Sequence, residues 1–161
     1  KLTYAEAYAD PPEGIPGVLV ITASGGLVSP EQIVTADGLQ SISAASIDAG
    51  EPLYTTPLLR DARMICERMG AHCEAVLLGS IATPKYVEPL LSVFGERLLF
   101  PAEFVGRGDM SRGGLMLRCQ RAGTELTYIP VRNALRHGQR PPKLSPLRRS
   151  GNHRVTAKWR R

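Results

Sequence analysis

Short aliphatic runs alternate with amphipathic stretches through the middle of this chain, and that alternation leaves few folds open to it. Glu74 to Leu78 (E-A-V-L-L) is a short aliphatic run that stops at Gly79, and Arg97 to Phe100 is a second such run, closed by Pro101. Between them Pro84 to Phe94 carries Val87, Leu90, Leu91 and Phe94 at helical spacing, bracketed by Thr83 and Gly95. Runs of this length without alternation read as strands buried on both faces, and the stretch between them as a crossover helix. The pattern has an earlier round. Gly17 to Ala23 (G-V-L-V-I-T-A) is a further buried-strand candidate, and Pro57 to Met69 places Leu58, Ala62, Ile65, Cys66 and Met69 on one stripe. Thr56 is the expected cap of that helix, Pro57 its first residue and Gly70 the left-handed residue after its end.

Strand, helix, strand, helix, strand in this order predicts a parallel sheet with right-handed crossovers. The fold class expected is α/β: a small Rossmann-like three-layer domain with a mainly parallel sheet. Gly114 to Gln120 and Glu125 to Val131, joined by R-A-G-T, are rich in strand formers and predict an antiparallel hairpin at the sheet edge. Beyond Val131 the apolar periodicity stops, and Pro141, Pro142 and Pro146 punctuate the remaining residues. The expected organisation is therefore an α/β domain over residues 1–131 and a basic extended arm over 132–161.

Charge is divided in the same place. Glu125 is the last acidic residue, and residues 126–161 hold ten of the 20 Lys and Arg side chains. A positive arm without carboxylates attracts polyanions, so nucleic acid, RNA or DNA, is the expected partner. Arg136, Arg140, Lys143, Arg148, Arg149, Arg154, Lys158 and Arg160 are the expected phosphate contacts, with the Trp159 indole available to stack on a base. The alternatives are a solvated tail and a segment that folds back on the acidic body.

Composition sets the remaining limits. With 43% hydrophobic and 22% charged residues, 161 residues suit one globular domain with an appendage. Val18 to Ile21 and Ala75 to Leu78 are far shorter than the roughly 20 residues a membrane span needs, and the first residues do not form a secretory signal. No membrane partner is expected, and the expected location is the cytoplasm. A start at Lys1 leaves room for N-terminal residues removed beforehand. Cys66, Cys73 and Cys119 are odd in number and lack C-x-x-C spacing, which argues against a disulfide framework and a zinc ribbon. His72 and Cys73 are adjacent, and adjacent side chains usually point apart, so neither a metal nor a cofactor is expected.

In parallel α/β sheets ligands bind beyond the carboxyl ends of strands. Two candidate loops follow expected strands, Thr22 to Gly26 with Ser24 and Gly25, and Gly79 to Pro84 with Gly79, Ser80 and Thr83, and a third, Glu51 to Thr56, precedes the Pro57 helix. Small and hydroxyl residues there leave backbone N–H groups free for a phosphate, although the same residues also serve simply as helix caps. Phe104 to Gly114 (F-V-G-R-G-D-M-S-R-G-G) reads as a site loop in which Arg107 and Arg112 hold an anion and Asp109 and Ser111 orient a hydroxyl or proton. A plain surface connection is its alternative. Asp109, Glu51 and Tyr54 are the catalytic candidates, since His72, His137 and His153 fall in none of these loops.

No P-loop or G-x-G-x-x-G fingerprint is present, so no named nucleotide-binding class is supported. The reading is a nucleic-acid-associated α/β domain that binds a phosphorylated or nucleoside-like group at its strand-end loops, with hydrolase or transferase chemistry open. Two alternatives stand beside it: a non-catalytic subunit of an RNA-protein assembly, and a small-molecule enzyme whose basic tail completes an oligomer.

Overall fold

A computed structural model describes residues 1–43 and 45–145. The chain is a mixed α/β protein. In order come α1 (Leu2–Tyr8), β1 (Val20–Ile21), β2 (Leu27–Val28), α2 (Ala36–Ser43), α3 (Pro52–Arg68), β3 (Ala75–Val76), α4 (Pro84–Phe94), β4 (Leu98–Pro101), α5 (Asp109–Ala122) and β5 (Tyr128–Pro130). Short 3-10 turns, Gly95–Arg97 and Ala102–Phe104, flank β4.

The unit β3, α4, β4 has the expected form. β3 pairs in parallel with β4, Ala75 opposite Leu98 and Val76 opposite Leu99. All four residues of β4 are buried, because β4 is the middle strand of three and α4 packs on it. α4 starts at Thr83 and Pro84, buries Val87, Leu90 and Phe94, and ends at Gly95 with φ 57°. The other neighbour of β4 is antiparallel: Phe100 faces Ile129 and Pro101 faces Tyr128. Of the mainly parallel sheet expected, one parallel pair is present, and an antiparallel edge strand lies beside it.

Three expectations are corrected. The run 17–23 does not join that sheet; β1 turns back on β2 in a separate antiparallel pair, Val20 opposite Val28. The reason is Gly26, at φ 72°, a conformation that suits glycine. Its carbonyl accepts the Thr22 amide at 3.0 Å and the Thr22 hydroxyl at 3.1 Å, which closes a tight turn where a crossover was expected.

α3 starts five residues earlier than its apolar stripe indicates. Pro52 occupies the first turn and the Glu51 carboxylate accepts the Leu53 amide at 3.2 Å, so Glu51 is the cap and Thr56 lies inside the helix. Pro57 is also internal, and its missing N–H leaves one helix carbonyl without its usual partner. Burial of Tyr54, Leu58 and Ala62 along one face outweighs that loss.

Gly114 to Gln120 is helix, not strand. It belongs to α5, whose end is Gly123 at φ 64°, where the amide reaches the carbonyls of Cys119 and Gln120. The expected hairpin loop R-A-G-T is thus the last helical residues and a left-handed cap. α5 buries only Arg112 and Met116, so it lacks the broad apolar stripe that marks a helix in sequence.

α1 packs against α5, and α3 against α4. The core runs through Tyr4, Tyr54, Leu58, Ile81, Phe100, Phe104 and Met116, all at 1% exposure or less. No described helix is long and apolar enough to cross a membrane.

Candidate functional site

A cavity of about 520 Å³ lies between α1, the segment 15–21, β3 and α4. Ile21, Ile65, Met69, Leu90 and Phe94 give it an apolar wall, and it continues past the carboxyl end of β3 to Gly79 and to Tyr86 in the first turn of α4. Asp10 and Glu74 are its carboxylates. Tyr4, Tyr8 and Tyr128 complete it from α1 and β5.

Those tyrosines join α1 to α5 and β5. Tyr4 and Tyr8 sit one helical turn apart with ring centroids 4.7 Å from each other. The Tyr4 hydroxyl accepts the Leu126 amide at 2.8 Å and lies 2.9 Å from the Tyr128 hydroxyl, while Tyr8 donates to the Cys119 carbonyl at 3.4 Å. Burial raises the pKa of the Tyr128 hydroxyl far above the ordinary tyrosine value, and its hydrogen bonds to Tyr4 and Glu125 push in the same direction. Burial also raises Tyr4 against the lowering effect of its bonds to Tyr128 and Leu126. Both stay neutral at physiological pH, and their hydroxyls are paired with each other.

Of the sequence-derived site residues, Gly79 lines this cavity. Ser80 and Thr83 come after it in the same β3–α4 connection, and Thr83 occupies the cap position of α4 without a side-chain hydrogen bond. Ser24 and Gly25 belong to the β1–β2 turn: the Ser24 hydroxyl donates to the Ser41 carbonyl at 3.2 Å, and the Gly25 amide donates to the Thr22 hydroxyl at 3.0 Å. Glu51 caps α3. Tyr54 is fully buried and donates to the Lys85 carbonyl at 3.0 Å, and its burial raises the phenol pKa strongly.

The stretch 104–114 is mostly not a loop. Its second half is the first turn and a half of α5, and this brings Arg107, Asp109, Ser111 and Arg112 into one cluster. The guanidinium groups are turned to the chain itself. Arg107 donates to the Glu103 carbonyl at 2.9 Å and to the Ser111 hydroxyl at 3.2 Å. Arg112, 5% exposed, donates to the Arg107 carbonyl at 3.1 Å and lies 5.8 Å from the Phe104 ring centre. Its second terminal nitrogen is 3.6 Å from Asp109, whose carboxylate also meets Lys1 Nζ at 2.5 Å. The Lys1 bond, with Arg112 adding to it, holds the Asp109 carboxyl below its ordinary range. Arg112 Nε and Glu103 Oε2 are buried without a hydrogen-bond partner among the described residues.

The cavity tyrosines are not evident as site residues in the sequence. The one signal for them is Y-A-E-A-Y at 4–8, an i,i+4 aromatic pair at helical spacing. Arg136 is half-buried, Arg140 and Lys143 are exposed, and Arg148, Arg149, Arg154, Lys158, Trp159 and Arg160 lie outside the described residues. Among the described residues no group of three or more His, Cys, Asp or Glu side chains is placed to hold a metal ion. No family model, curated protein or solved structure matches this chain.

Proposed function

We propose that the chain is a nucleic-acid-associated α/β domain that holds a nucleoside-like group in the cavity beside β3. The observation that carries this reading is the cavity's place and lining: about 520 Å³, reaching the connection after a parallel strand, with Tyr86 and Tyr128 among its wall residues. Clefts of roughly 300 to 1,000 Å³ suit small ligands, and in α/β sheets they lie at strand carboxyl ends. The unit β3, α4, β4 is the portion of a Rossmann-like three-layer arrangement on which this rests. Aromatic walls favour a planar heterocycle, and among the described residues the lining carries two carboxylates, Asp10 and Glu74, against one cation, Lys1, whose Nζ is held by Asp109, which favours the nucleoside over its phosphorylated form. Hydrolysis or group transfer on such a ligand falls to Asp10 and Glu74, the carboxylates of the wall. The basic segment 132–161 supplies the contact with RNA or DNA. The cytoplasm suits the free thiols of Cys66, Cys73 and Cys119.

Calorimetric titration of the full chain with nucleosides and nucleoside monophosphates tests the reading. Saturable binding is expected, stronger for the nucleosides and weakened by Tyr86→Ala in protein that remains folded. If no nucleoside or nucleotide binds saturably, the cavity has another occupant and the proposal fails.

A second reading, a non-catalytic subunit of an RNA-protein assembly, is favoured by α2. That helix buries no residue, and Ile33, Val34 and Leu39 around it are exposed at 93%, 45% and 61%. A face of this kind suits contact with another chain.

A further inference from the structure

The described part of the basic segment is not a free tail. At Gly106 the chain passes so close that an added Cβ would lie 2.3 Å from the Gln139 carbonyl oxygen. A Cβ on Gly138 would lie 2.9 Å from Val105 Cγ1, and one on Gly114 would lie 3.6 Å from Leu144 Cδ1. Arg118 donates to the Ser145 carbonyl. Gln139 at Gly106, Leu144 at Gly114 and Ser145 at Arg118 thus trace a strap running along α5 in the direction of the helix. Pro141 and Pro142 sit in the middle of it and limit its backbone freedom.

This course gathers charge. Arg118 and Arg121 are three residues apart on α5, hence neighbours on its surface. The only acidic residue of α5 is Asp109, and that carboxylate already meets Lys1 and Arg112. On the strap Arg140 and Lys143 are exposed and no acidic residue is present, whereas Arg132, just before it, is taken up by Glu96 at 2.8 Å.

We infer that α5 and the strap 136–145 form one built phosphate-binding surface for nucleic acid, in which Arg118 and Arg121 act together with Arg140 and Lys143. The inference rests on the nucleic-acid reading above and adds where the interface lies. Charges already held in place bind a phosphate backbone without the ordering cost that a detached tail meets on binding.

The test is fluorescence anisotropy of the full chain with a labelled single-stranded RNA, and separately with a duplex DNA, over a salt series. Arg121→Ala, on the helix and remote in sequence from the segment, is expected to lower the log-log salt slope by roughly 0.7 to 0.9, as one lost phosphate contact does. Arg140→Ala is expected to do the same. Gly138→Val and Leu144→Asn, which lift the strap without changing any charge, are expected to weaken binding as well, with melting curves showing that the body stays folded. If the wild type binds while Arg121→Ala, Gly138→Val and Leu144→Asn all keep its affinity and slope, the segment acts alone and the surface is wrong, though the nucleic-acid reading stands. If the wild type binds neither polymer at low salt, the nucleic-acid reading falls, and the surface with it.

Discussion

The Tyr4 hydroxyl lies 2.9 Å from the Tyr128 hydroxyl, so a helix near the start of the chain is tied to the last strand of the sheet. The same Tyr4 oxygen accepts the buried Leu126 amide at 2.8 Å. Tyr4→Phe keeps the ring and strands that amide, which costs about 1 to 3 kcal/mol when a buried donor is left unpaired. Tyr8→Phe removes a longer bond, 3.4 Å to the Cys119 carbonyl, and is expected to cost no more than about 0.5 kcal/mol. Urea midpoints of the two variants check the order; equal losses would refute the bridging role of Tyr4.

Helix starts give a second contrast. Glu51 accepts the Leu53 amide at the head of α3, so Glu51→Ala is expected to lose about 0.5 to 1 kcal/mol and Glu51→Gln less. Thr56, inside the helix and exposed, tolerates alanine without loss, since alanine is the better helix former. Thr83 stands at the cap of α4 without a side-chain bond, so Thr83→Ala is expected to change stability by no more than about 0.5 kcal/mol. Thermal denaturation of the three alanine variants ranks them; a large loss at Thr56 would move the start of α3 back to Pro57.

Gly26→Ala is expected to detach the β1–β2 hairpin from α3. A Cβ at this position, on a backbone with φ 72°, would lie 2.2 Å from Asp61 Oδ2 and 2.8 Å from the Pro57 carbonyl oxygen. The hairpin's amides should then lose protection from hydrogen exchange while β3 and β4 keep theirs, because the two sheets are separate. Uniform loss of protection across both sheets would show that the hairpin and the main sheet unfold as one unit.

Asp61 makes part of this junction depend on acid. Burial raises its pKa, but the Arg60 hydrogen bond, the Leu27 amide at 3.0 Å and the Arg60 charge outweigh it, leaving the carboxyl below its ordinary value. A depressed folded-state pKa means the unfolded chain binds more protons in this range. The contribution is therefore fully present above about 3.9 and is lost as pH falls through the folded value. Asp61→Asn should flatten the acid limb of the stability profile and leave the neutral region parallel to wild type. An acid limb of unchanged steepness in that variant would assign the dependence to another carboxylate.

What the sequence determined by itself was whatever its local chemistry punctuates. α4 is legible from Thr83, Pro84 and Gly95 around a regular apolar stripe, and β4 from four apolar residues stopped by Pro101, because each of these signals acts within one turn or one strand. The charge division at Glu125 and the clustering of Arg107, Asp109, Ser111 and Arg112 within six residues were equally local. Tertiary structure decided the rest. Two prolines, Pro52 and Pro57, both fit the first turn of α3, and burial of Tyr54 against the Lys85 carbonyl selects the earlier one. Gly114 to Gln120 has the composition of a strand, but its partners are α1 on one side and the strap on another, and neither contact leaves a periodic mark in the chain. The cavity is the clearest case: its walls come from residues as far apart as Tyr4 and Tyr128, and only the packing of α1 and β5 brings them together.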